Sequence, residues 1–117
     1  MGIARKRGNA GEQLAACYFE LIGCPVVARN VRLAGVEVDL VVTDGDTRVL
    51  VEVKTRGRAD YGGAALAVDA RKRERLLRAA RTLTRDQAAV RIDVIALETS
   101  SDGAVLRHYR GAITETG

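Results

Sequence analysis

The chain has 117 residues, 47% hydrophobic and 29% charged, with a net charge of +4. That length predicts one domain, residues 1–117, with one core. No apolar run approaches the roughly 18 residues of a membrane span. The basic arm at residues 1–7 has neither the apolar stretch of a secretory signal nor the myristoylation pattern, so no membrane contact and a cytoplasmic location are expected. With three Tyr, one Phe and no Trp, the core must come from Val, Leu, Ile and Ala.

Residues 9–22, "NAGEQLAACYFELI", read as a helix. Asn9 is its expected N-cap, and Glu12 completes a start resembling a capping box. Leu14, Ala15, Tyr18, Leu21 and Ile22 are expected on the buried face. Gly23 and Pro25 end the helix. Cys17 and Cys24 lack CxxC spacing and a nearby histidine, which fits two reduced thiols. Strands follow at 26–33, 36–43 and 48–55, with "DGD" at 44–46 marking a hairpin between the last two. Residues 56–63 read as a glycine-rich loop.

A second helix is expected over 68–84, capped by Asp69. Its apolar stripe is Leu76, Ala79, Ala80 and Leu83. Arg71, Arg75, Arg78 and Arg85 form a basic ridge on the other side. Residues 71–85 hold seven basic residues and one acid, a density that fits a polyanion partner or a solvated face. Residues 90–98, apolar on both faces, predict a strand buried on both sides. An edge strand at 104–110 and a loose tail at 111–117 complete the chain. Asp93 is expected to satisfy an arginine or a backbone donor, and His108 to lie on the surface. The order α-β-β-β-α-β-β implies an α/β domain with a mixed sheet of about five strands flanked by two helices.

The hairpin carries Glu37, Asp39, Glu52 and Lys54 where a small protein would normally place Val or Ile. Side chains alternate along strands. With Gly45-Asp46 as a two-residue loop, Asp39 faces Glu52 and Glu37 faces Lys54. With Asp44-Gly45, Asp39 faces Leu50 and Glu37 faces Glu52. All four share a face in both registers, and a three-residue loop would separate them. Opposed carboxylates, with Cβ atoms about 4.5–5.5 Å apart, repel and need an offsetting charge. Lys54 or a hard divalent cation such as Mg²⁺ would supply one. An acidic cup in a basic surround suits phosphodiester chemistry, and a salt-bridged sheet face open to water is the alternative.

"EVDL" (37–40), a short hairpin and "VEVKTR" (51–56) resemble the core of the PD-(D/E)XK nucleases. Together with "GNAGEQLAACYF" (8–19), "ARN" (28–30), "AVDARKRERL" (67–76) and "RIDVIAL" (91–97), they resemble the YraN-like family of small bacterial proteins. That family is similar to archaeal Holliday-junction resolvases and has a restriction-endonuclease-like fold. Val36 stands where the family usually has glycine. The resemblance implies Mg²⁺ or Mn²⁺ held by Asp39, Glu52 and the Val53 carbonyl. Lys54 would orient or deprotonate the attacking water. Glu12 would be a helix-borne catalytic acid, and Glu37 an auxiliary acid or a partner of Lys54. The implied activity is hydrolysis of structured or branched DNA in repair or recombination, with a homodimer as a further expectation. Arg56, Arg58, Arg71, Lys72, Arg75, Arg78 and Arg85 are the candidate contacts to the DNA backbone. Scarce aromatics argue against recognition by base stacking and favour duplex or branched DNA. The alternatives are a non-catalytic DNA-binding or adaptor module with a vestigial site, and a protein-docking module that uses the basic helix.

Overall fold

A computed structural model describes residues 6–57, 68–85 and 89–115. Two helices, α1 (Lys6–Leu21) and α2 (Ala70–Thr84), flank a five-stranded sheet. The strands are β1 (Val26–Leu33), β2 (Val36–Asp44), β3 (Thr47–Gly57), β4 (Ala89–Ser100) and β5 (Gly103–Tyr109). They lie in sequence order across the sheet. The pairs are antiparallel except β3 with β4, which are parallel because α2 carries the chain back between them. This is the five-stranded mixed sheet flanked by two helices that the element order implies. No described helix is long and apolar enough to cross a membrane.

Each sheet face has its own core. Ala15, Ala16 and Phe19 of α1 pack on Leu40, Val42, Val49, Val51, Ile95 and Leu97. Leu76, Leu77 and Ala79 of α2 pack on Leu50, Ile92 and Val94 on the other face. Each large apolar side chain buried this way stabilises the fold by about 1.5–3 kcal/mol. The run Ile92–Leu97 is buried throughout, as expected for a strand covered on both sides.

Helix α1 differs from its predicted form. It begins at Lys6, so Asn9 lies inside it and does not cap it; residues 1–5 of the predicted arm fall outside the described residues. Its buried face is Ala15, Ala16 and Phe19, while Leu14, Leu21 and Ile22 are exposed. The cause is close approach. A Cβ on Gly11 would lie 2.6 Å from Thr55 Oγ1 and 3.3 Å from Leu97 Cδ1. Gly11, Ala15 and Ala16 therefore face the sheet where the helix approaches it closely, and Phe19, one turn further on, is the bulky residue buried there.

Asp69 caps α2 as expected, accepting from the Lys72 N–H at 2.8 Å. The tail is not loose as far as residue 115. Ile113 is buried, Arg73 donates to the Thr114 carbonyl at 2.7 Å, and Arg81 pairs with Glu115 at 3.2 Å. Both cysteines are free, Cys17 exposed and Cys24 buried.

Candidate functional site

The hairpin register is the one set by the Gly45-Asp46 loop. Asp44 pairs with Thr47 and the ladder runs back to Leu40 opposite Val51. Gly45, at φ 61, takes the first loop position, as a type II′ turn requires. Carried one step further the register would oppose Asp39 to Glu52, but there β2 stops pairing with β3 although its pairing with β1 continues.

Two features open the hairpin at this point. Val36 and Val38 join the α2-side core, whereas Leu40 and Val42 join the α1-side core. Residues two apart should share a face, so the facing of β2 changes across Asp39. Opposite it on β1, Asn30 has φ 49, a left-handed conformation that asparagine tolerates better than most residues. Strict alternation therefore does not hold through this stretch. Val36, where the resembling family usually has glycine, is buried in the α2-side core.

The Asp39 carboxylate accepts the Val53 N–H at 2.8 Å, satisfying a strand donor beyond the end of the ladder. In an extended strand, one residue's N–H and C=O address the same neighbour. The Val53 carbonyl therefore also faces the opened side. Glu52 is part-buried beside Asp39, with 13% of its side chain exposed. Lys72 Nζ lies 3.5 Å from Glu52 Oε1, within ion-pair range but without hydrogen-bonding geometry. That buried oxygen has no hydrogen-bond partner.

Burial and the neighbouring Asp39 charge push the Glu52 carboxyl up to about 7, against the opposing pull of Lys72 and Lys54. Burial also raises Asp39, opposed by the Val53 N–H and Lys72. Lys54 is half-buried, and its charge acts on both Glu52 and Asp69. Lys72, not Lys54, is the nearer cation to Glu52.

Glu12 reaches the same region from α1. Its Oε1 accepts from Asn30 Nδ2 at 3.0 Å, and beside it Arg29 donates to Gln13 at 2.7 Å. Burial raises the Glu12 pKa, the Asn30 bond opposes that rise, and the Asp39 and Glu37 charges add to it. Glu12 is therefore not the helix-capping acid of the predicted start; it is tied to β1 across the site. Glu37 is exposed and lines a groove with Lys72, Arg75 and Arg78.

The structure thus brings Glu12, Glu37, Asp39, Glu52, Lys54 and Lys72 to one end of the sheet. Among the described residues, no three His, Cys, Asp or Glu side chains stand close enough to hold a metal ion together. The donor set nevertheless suits a hard cation: two adjacent carboxylates, one with an orphaned buried oxygen, and a backbone carbonyl turned the same way. The candidate DNA contacts divide. Arg56 belongs to β3, past the predicted strand end, and its guanidinium donates to the Thr55 carbonyl. Arg71 is exposed at the start of α2, and Arg85 caps its far end. Arg58 lies outside the described residues.

A second polar cluster sits on the α1 side. Asp93 is fully buried. It accepts from Arg91 Nε at 2.8 Å and Nη2 at 3.1 Å, and from the Gly111 N–H at 2.9 Å; His108 Nε2 lies 2.7 Å from its Oδ2. His108 Nδ1 lies 2.7 Å from the Tyr18 hydroxyl, and Arg91 continues to Asp44 at 2.9 Å. Burial alone would raise Asp93, but the bonds from Arg91, Gly111 and His108 hold it below the ordinary carboxylate value. Asp93 fulfils its expected role. His108 does not: its side chain is 8% exposed and bridges two elements.

The fold and the acid pocket define a small α/β protein with a restriction-endonuclease-like sheet. Residues 11–97 match the model of the "Uncharacterised protein family UPF0102", and the chain belongs to that family. It is 51% identical over 96 residues to a "UPF0102 protein" of Solibacter usitatus, covering 77% of this chain and 73% of the relative. To a "UPF0102 protein" of Halorhodospira halophila it is 42% identical, covering 95% and 89%. Among solved structures it is similar to Pyrococcus furiosus SfsA in complex with Ca²⁺, with a TM-score of 0.47 and 16% identity. That match covers 95% of this chain and 65% of the SfsA chain.

Proposed function

We propose that this protein is a divalent-metal-dependent endonuclease acting on structured or branched DNA. The observation that carries the reading is that the Asp39 and Glu52 carboxylates are neighbours where the β2–β3 ladder ends. Two part-buried carboxylates stand side by side there, one with an unsatisfied buried oxygen. Two carboxylates side by side away from water repel and are costly to desolvate, and a carboxyl perturbed in a cleft is a candidate functional group.

Asp39, Glu52 and the Val53 carbonyl would hold Mg²⁺ or Mn²⁺, which when bound supplies positive charge to the scissile phosphate. Lys54, two residues on and so on the Glu52 side of β3, would orient the attacking water, take its proton and offset charge developing on the phosphoryl oxygens. Glu12, fixed by Asn30, would hold a water or a second ion. Cations on α2 would hold the DNA backbone.

A second reading has its own support. Because no three acids converge among the described residues, the pocket also fits a DNA-binding module that does not cut. Incubation of wild type and Lys54→Ala with labelled duplex, flap and four-way DNA plus Mn²⁺ separates the two. The nuclease reading expects products from wild type alone. Binding without products favours the module, and equal products from both proteins would refute the role of Lys54.

A further inference from the structure

A groove of about 380 Å³ lies along α2 and shares Lys72 with the acid pocket. Lys72, Arg75 and Arg78 form one wall. Arg32, Gly35 and Glu37, at and beside the β1–β2 turn, form the other. Arg32 donates to the Gly35 carbonyl at 3.0 Å, which fixes its guanidinium at the rim with donors to spare.

Four cations and one acid line this groove, and their pairing differs from that on the rest of α2. Arg73 is held by the Thr114 carbonyl, and Arg81 by Glu74 and Glu115. Arg32, Arg75 and Arg78 have no ion-pair partner among the described residues. On the tail side Arg81 is neutralised by two acids and Arg73 is hydrogen-bonded to a carbonyl; in the groove Lys72 leans on Glu52, and Arg32, Arg75 and Arg78 are held near one another with Glu37 as the one acid lining it.

A complementary anion would relieve the repulsion among these cations. From residue 72 to residue 78 the helix rises about 9 Å at 1.5 Å per residue, too long for a single phosphate and suited to a repeated one. Lys72 belongs to both places, lining the groove and reaching Glu52. A strand laid in the groove therefore ends at the acid pocket.

We propose that this groove seats a stretch of phosphodiester backbone, with Arg32 as its outer contact and Lys72 as the arm shared with the acid pocket. The direction in which it delivers the strand rests on the nuclease reading; the binding itself does not.

The test is fluorescence anisotropy of a labelled DNA duplex in EDTA between 50 and 200 mM salt, so that no metal takes part. Arg32→Gln should weaken binding severalfold and reduce the slope of log K against log salt by about one. Arg32→Lys should keep the slope. Arg48→Gln, the same charge change on an exposed residue beside the hairpin turn and outside the groove lining, should leave affinity and slope unchanged. Circular dichroism checks that the variants fold. Absence of duplex binding by wild type, or indistinguishable losses in Arg32→Gln and Arg48→Gln, would overturn the proposal. So would polyglutamate binding with the same Arg32 dependence in place of the duplex. Arg32-dependent binding without Mn²⁺-dependent cleavage would instead sink the nuclease reading and leave the groove standing.

Discussion

Glu52→Gln should stabilise the protein, and more so as pH rises. Burial and Asp39 raise the Glu52 carboxyl from 4.5 to about 7 in the folded state. An acid raised on folding favours the native state below its unfolded value and loses that advantage as pH climbs through the folded value. At about 1.4 kcal/mol per pH unit the full effect is about 3 kcal/mol, of which about 2 kcal/mol falls between pH 5.5 and 8.5. Glutamine does not titrate and has no such slope. Urea unfolding of wild type and variant at both pH values reads the difference directly. The variant should gain about 2 kcal/mol on wild type between them. Mn²⁺ at pH 8.5 should restore stability to wild type and not to the variant, because a ligand of the folded state stabilises it by mass action. Parallel pH profiles for the two proteins would refute the reading of Glu52 as a carboxylate strained by its surroundings.

Two further predictions concern the scaffold. Asp93→Asn removes the buried charge shared by Arg91 and His108 and leaves Arg91 with Asp44 alone, so urea unfolding should show a loss of about 1.5–3 kcal/mol. A loss under about 1 kcal/mol would contradict the network's role. Because Asp93 is held below its ordinary value, the stability it contributes should be present above that value and vanish on acidification through the lower folded one. Ala34, at φ 53 beside Gly35 at φ 76, takes a left-handed conformation in a tight turn. Alanine is strained there by about 1–2 kcal/mol. Ala34→Asn should raise the thermal midpoint, and an unchanged or lower midpoint would show that the turn is not under that strain.

The strands were legible because alternation, the "DGD" turn and an apolar run buried on both faces each follow from local chemistry. The pocket was only partly so. Glu52 and Lys54 followed from β3 alternation, but the switch of β2 facing at Asp39 depends on Asn30, a strand away. In α1 the bulky Leu14, Leu21 and Ile22 mask the pattern Glu12, Ala15, Ala16, Phe19. That i, i+3, i+4, i+7 spacing turns Glu12 toward the sheet. Lys72 carried the same signal, four residues before Leu76 on the apolar stripe of α2. His108 and Arg32 had none. One finds its partners on β4 and α1, and the other faces a helix about forty positions further along the chain, contacts that no short-range pattern records.

On the proposed reading, Asp39 and Glu52 seat a divalent cation. Isothermal titration of Mn²⁺ into wild type and Asp39→Asn at pH 8.5 measures that binding. Saturable binding to wild type, abolished in the variant, is the predicted result. No binding to wild type, or equal binding to both proteins, would contradict it.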